Sequence, residues 1–107
     1  MKLPKFKPDG TIVHNGKEYI SIQELAQKLT ELNIPHEMRK AMDGYQICVP
    51  NCKGEWEGDA IEHFASYGAE EDLIEVFGFG LEEPVGWLTV DKALKYFVKW
   101  NKERSGK

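Results

Sequence analysis

Residues 59–80 read DAIEHFASYGAEEDLIEVFGFG, and the way this stretch divides decides the fold. Its first half alternates: Ala60, Glu62 and Phe64 fall on one side of an extended chain, Ile61 and His63 on the other. Asp59 to Ala65 is therefore predicted to be a strand. Gly68 interrupts it, and Ser66 or Gly68 can cap a helix starting at Ala69. Glu70, Glu71 and Asp72 would fill the first turn, where the helix dipole favours negative charge by about 0.3–1 kcal/mol each. Leu73, Ile74, Val76 and Phe77 would supply the buried side, and Gly78 would end the helix. The crowd of acids thus has a sufficient structural reason. Its rival is a functional surface.

Working back toward the N-terminus, the period remains two. His36 to Met42 is predicted as a strand, Asp43-Gly44 as a tight turn and Tyr45 to Val49 as the antiparallel mate. Pro50 ends that strand, and NCKGEWEGD is a loop. With residues 59–65 these strands make a three-stranded antiparallel meander. Before it, Ser21 is followed three residues later by Glu24, the spacing of a capping box, and Ile20 and Leu25 sit where a hydrophobic staple forms. Ile22, Leu25, Ala26, Leu29 and Leu32 keep helical spacing, which predicts a helix from about Ile22 to Leu32, stopped by Asn33 and Pro35. Thr11 to His14 and Lys17 to Ile20 flank Asn15-Gly16, a strong hairpin signal. Residues 1–10, with Pro4 and Pro8, are expected to be extended and poorly ordered.

Toward the C-terminus, a last helix is predicted to begin at Thr89 with Asp91 in its first turn. Val90, Ala93, Leu94, Phe97 and Trp100 gather on one side of a helical wheel, and Lys92, Lys95, Lys99 and Lys102 on the opposite side. Residues 103–107 would fray. The expected architecture is one α+β domain over residues 1–107: a short N-terminal β-hairpin, a helix, the three-stranded meander and two C-terminal helices.

Composition narrows the function classes. Of 107 residues, 41% are hydrophobic and 30% charged, as in ordinary globular domains. The net charge of −4 conceals segregation: residues 51–86 carry ten acids against Lys53 alone, whereas residues 87–107 carry six bases and two acids. A block so acidic repels nucleic acid and attracts basic partners. No run nears the roughly 18–20 apolar residues that span a bilayer, and the basic start MKLPKFKPDG lacks an apolar core, so a cytoplasmic, non-membrane protein is expected. Cys48 and Cys52 are too few for a disulfide scaffold and read as reduced thiols.

No pattern points to catalysis or a metal. Cys48 and Cys52 form C-x₃-C, but a structural zinc site takes four ligands, usually in tighter pairs, and His63 with a distant His14 or His36 would have to complete it. Glu62 and His63, adjacent on a strand, point to opposite faces and cannot cooperate. Neither a nucleophile elbow, an H-E-x-x-H helix nor a phosphate loop occurs. A non-enzymatic protein without cofactor is expected.

The order helix, three strands, helix resembles the double-stranded-RNA-binding domain in topology alone. That family sets lysines at the start of the helix after the third strand, where this chain has Ala69-Glu70-Glu71-Asp72, the wrong sign for phosphate. Over residues 45–98 the strings YQICVP, EHFASYG, EEDLIEVFG and GWLTVDKAL resemble small uncharacterised proteins of phages and prophages of Gram-positive bacteria. Glu62, His63, Ser66, Tyr67, Gly68, Leu73, Glu75, Gly86, Trp87, Leu88 and Thr89 carry that resemblance. It implies an origin, and with it a host-cell setting, but no activity.

The expected function is therefore a phage accessory protein, of the anti-defence or host-takeover kind, that binds a host protein with a basic surface. The expected acidic surface comprises Glu55, Trp56, Glu57, Asp59, Glu62, Tyr67, Glu70, Glu71, Asp72 and Glu75, with Trp56 and Tyr67 as aromatic anchors. One alternative is a nucleic-acid-associated protein using Lys92, Lys95, Lys99 and Lys102. Another is a small-ligand pocket near Tyr67 and Trp87.

Overall fold

The computed structural model describes residues 19–105 and the backbone of two short strands, β1 (Lys5–Phe6) and β2 (Ile12–Val13), which pair antiparallel. The chain then forms helix α1 (Ile20–Glu31), strands β3 (Glu37–Ala41), β4 (Gly44–Val49), β5 (Gly58–Glu62), β6 (Ile74–Gly78) and β7 (Val85–Leu88), and helix α2 (Val90–Ser105). The five strands β3 to β7 form one antiparallel sheet in sequence order. The α+β class expected from the sequence holds, as do the first helix and the C-terminal one. No helix of the described residues is long and apolar enough to cross a membrane.

Both helices lie on one face of the sheet. Tyr45, Ile47 and Val49 of β4, Ala60 of β5, and Ile74 and Val76 of β6 meet Ile22, Leu25 and Leu29 of α1 and Ala93, Phe97 and Trp100 of α2 in a single core. The strand alternation sends the intervening residues to the helix-free face. There the register aligns Glu37, Cys48, Asp59 and Phe77 in one row and Arg39, Gln46, Ile61 and Glu75 in the next.

The largest departure lies in the second half of the deciding stretch. Residues 69–77 are not a helix. Only Ala69–Glu71 form a 3-10 turn, Asp72 at φ 60° turns the chain, and Ile74–Gly78 becomes β6. The apolar set Leu73, Ile74, Val76, Phe77 fits either period. The sheet settles it, because Ile74 and Val76 enter the core while Phe77 packs under Trp56 with ring centroids 5.9 Å apart. The meander thus has five strands, including the unforeseen β7, and a single helix follows it.

Smaller shifts have local causes. The β3–β4 turn is Met42-Asp43, and Gly44 already belongs to β4, where a Cβ would stand 1.9 Å from the Glu62 carbonyl oxygen. Helix α1 starts at Ile20, after Tyr19 at φ 52°, so Ile20 is not in a hairpin strand. β2 pairs with β1; the expected Asn15-Gly16 turn, with Lys17 and Glu18, lies outside the described residues. Ser21 does not cap the helix; its hydroxyl donates to the Asp72 carbonyl at 2.7 Å. The cap comes from across the fold, where Glu62 Oε1 accepts the Ile22 N–H at 2.9 Å. Thr89 does cap α2, its Oγ1 accepting the Lys92 N–H at 3.2 Å, and that helix continues through Glu103 and Arg104 to Ser105.

Candidate functional site

The ten residues of the expected acidic surface do not form one surface. Glu62 is 0% exposed beneath α1 as its cap, and Asp59 and Glu75 are buried on the helix-free face of the sheet. Strands alternate, so a run of acids there is shared between two faces and cannot make a patch. What remains divides between the ends of β5: Glu55, Trp56 and Glu57 before it, and Tyr67, Glu70, Glu71 and Asp72 after it, all exposed.

Asp59 is tied into a relay. Arg39 Nε donates to Gln46 Oε1 at 2.8 Å, Gln46 Nε2 to Asp59 Oδ2 at 2.7 Å, and Trp56 Nε1 to the same oxygen at 3.1 Å. Burial pushes the Asp59 carboxyl above its usual range, against the opposing hydrogen bonds and the Arg39 charge. Beside it, burial first, then a hydrogen bond with Cys52, pushes the Cys48 thiol up to about 12. This end of β5 is committed internally.

The other end is built to present aromatic rings. Ser66 closes a turn in which its hydroxyl donates to the His63 carbonyl at 2.9 Å. The Tyr67 N–H is then held by the buried Glu75 carboxylate at 3.0 Å, and the Tyr67 carbonyl accepts the Trp87 N–H at 3.1 Å. Glycines permit this approach: a Cβ on Gly86 would lie 2.2 Å from the Tyr67 Cβ. The ladder between β6 and β7 is irregular from Ile74 to Val76, opposite this contact.

Trp87 itself sits at φ 55°, a left-handed conformation that costs a bulky side chain on the order of 1–3 kcal/mol. Strain of that size is ordinarily offset by burial. Here Trp87 is 58% exposed, and its ring stacks on Tyr67, itself 54% exposed, with centroids 5.5 Å apart and planes within 14°. Phe64 is exposed next to them. Phe64, Tyr67 and Trp87 line a hollow of about 290 Å³ together with Glu70 and Glu71. Two large aromatic rings, stacked and exposed, beside two carboxylates make an aromatic–acidic corner.

The lysines of α2 are all exposed, as the wheel requires. They border two adjoining hollows, with Lys95 and Lys99 common to both. Lys92, Lys95 and Lys99 flank a groove whose other wall is Phe79, Gly80 and Leu81, while Lys95, Lys99 and Lys102 border a second hollow with Leu94 and Val98.

Comparison with family models, with curated proteins and with solved structures gives no match for this chain.

Proposed function

We propose that this chain is a non-catalytic binding protein that docks a partner with a basic surface through the corner formed by Phe64, Tyr67, Trp87, Glu70 and Glu71. The observation that supports it is the Tyr67–Trp87 stack, exposed and held at a strained backbone position. Aromatic anchors lose little freedom on binding, and neighbouring carboxylates select and steer a partner bearing arginine or lysine. An arginine side chain from the partner would lie on the ring face and pair with Glu70 or Glu71 at the rim. On the resemblance of residues 45–98 to phage and prophage proteins, the partner is a host protein and the role is accessory.

The test is capture of a partner by immobilised protein from a Gram-positive host lysate, repeated with Glu70→Gln/Glu71→Gln and with Trp87→Gly. Retention at about 50 mM salt, loss at about 500 mM, and loss with both folded variants is expected. A partner that both variants retain, or no salt-sensitive partner at all, refutes the reading.

A further inference from the structure

The groove along α2 lies apart from the aromatic–acidic corner and carries the opposite charge. It encloses about 830 Å³, within the range of small-molecule sites. One wall is a row of ammonium groups, Lys92, Lys95 and Lys99, at the three- and four-residue spacings that put side chains side by side on a helix. The apolar lining is aromatic: Phe79, Tyr96 and Trp100, with Leu81.

Two further observations mark this groove as a binding site and not simply a lysine-covered helix. The first is backbone strain. Gly78, Phe79 and Gly80 are three successive left-handed residues, and Phe79 adopts φ 53° with a ring that packs 6.0 Å from Tyr96 and 5.1 Å from Phe97. Only Phe79 is strained by this, and its packing on the buried Phe97 holds the ring as an aromatic wall opposite the lysines. The second is an unmet donor. Trp100 is 8% exposed, and its indole N–H is buried without an acceptor among the described residues. Buried donors are ordinarily satisfied, so an unpaired one on a residue that lines a groove calls for an acceptor, and this N–H, itself closed to solvent, meets one when the ring shifts toward the groove. Arg104, outside the groove lining, sets its guanidinium 5.0 Å from the same ring.

We propose that this groove binds a small aromatic anion of the nucleoside-phosphate class, its planar base against Tyr96 and Trp100 and its phosphate among Lys92, Lys95 and Lys99. Every base offers a face to stack on, and a dianion relieves the mutual repulsion of three neighbouring ammonium groups. Glu57 and Glu103 also line the groove. Their charges oppose any further phosphate, which favours one compact ligand over a strand running through.

The test titrates the full chain with AMP, GMP, CMP and UMP, with adenosine, with inorganic phosphate and with a deoxythymidine oligonucleotide, followed by backbone amide shifts. At least one mononucleotide should saturate below about 1 mM, with adenosine and phosphate each at least about tenfold weaker. Lys95→Gln/Lys99→Gln should weaken binding at least about tenfold while the melting temperature holds, because both side chains are exposed. Trp100→Phe, which keeps a stacking ring and removes the N–H, should weaken it several-fold, and Trp87→Gly should leave it unchanged. Four results overturn the proposal: no saturation by any mononucleotide, phosphate binding as tightly as nucleotide, wild-type affinity in the lysine double variant, or preference for the oligonucleotide. Should Trp100→Phe fail to fold, the lysine variant decides alone.

Discussion

Removing the Glu62 carboxylate should cost more than removing the capping residues legible in the sequence. Glu62 is wholly buried, and its Oε1 accepts the Ile22 N–H at 2.9 Å inside the first turn of α1. Glu62→Ala strands that N–H away from water, a loss of about 1–3 kcal/mol. It also leaves space where four side-chain atoms beyond Cβ packed. Relief from holding a polar carboxyl group out of water offsets part of this. The net expectation is about 3 kcal/mol, a large share of the roughly 5–15 kcal/mol that holds a domain folded. Glu62→Gln keeps the shape and an acceptor oxygen and should cost only about 1 kcal/mol. Glu24→Ala, on an exposed residue, should stay within about 0.5 kcal/mol. Urea unfolding of the three variants, followed by far-ultraviolet circular dichroism at neutral pH, measures all of these. A Glu62→Ala loss below about 1 kcal/mol, or a Glu24→Ala loss above it, refutes the assignment of the cap.

Trp87→Gly should be unusually mild. Burial of about two-fifths of the ring, roughly 100 Å², contributes about 2.5 kcal/mol, and relief of about 1–3 kcal/mol of strain offsets most of it, so a loss under about 2 kcal/mol is expected in the same unfolding assay. Asp59 has a folded pKa raised by burial, so its contribution is fully present below the ordinary carboxyl value and is lost as pH rises through the folded one. Asp59→Asn should therefore match wild type near pH 3 and gain on it by pH 7, read as the difference between two stability–pH curves. Because burial and the Cys52 thiol push Cys48 up to about 12, a thiol reagent at pH 8 should label Cys52 in the native protein and reach Cys48 only after denaturation. Two equally fast sites in native protein would count against this packing.

Elements with one strong local pattern could be read directly. Strands β3 to β5 show themselves by alternation and by Pro50, and α2 by Thr89, Asp91 and a clean apolar side. The start of α1 could not, because Ser21 and Glu24 have capping-box spacing while the group that caps the helix lies 40 residues away. Nor could β6, since Leu73, Ile74, Val76 and Phe77 suit a helix as well as a strand until the β5 edge is there to pair with. The corner was half legible. Tyr67 stands among acids in the sequence and Trp87 follows Gly86, but the left-handed backbone of Trp87 depends on Gly86 meeting Tyr67, a contact between segments 19 residues apart in the chain. The burial of Glu62 and Glu75 is likewise a property of which sheet face each occupies, and the string of acids does not show it.

Helix α1 is fastened at its start by two groups made long after it: the Glu62 carboxylate, and the Asp72 carbonyl, 51 residues beyond Ser21. During synthesis the helix leaves the ribosome with its first turn open, and an isolated 12-residue helix is marginal in water. It gains its fastening only once β5 and the turn at Asp72 have emerged, so the first third of the chain waits on the second. Any nascent chain halted before residue 72 should expose Ile22, Leu25 and Leu29 to chaperones, and the commitment to fold belongs to the middle of the sequence.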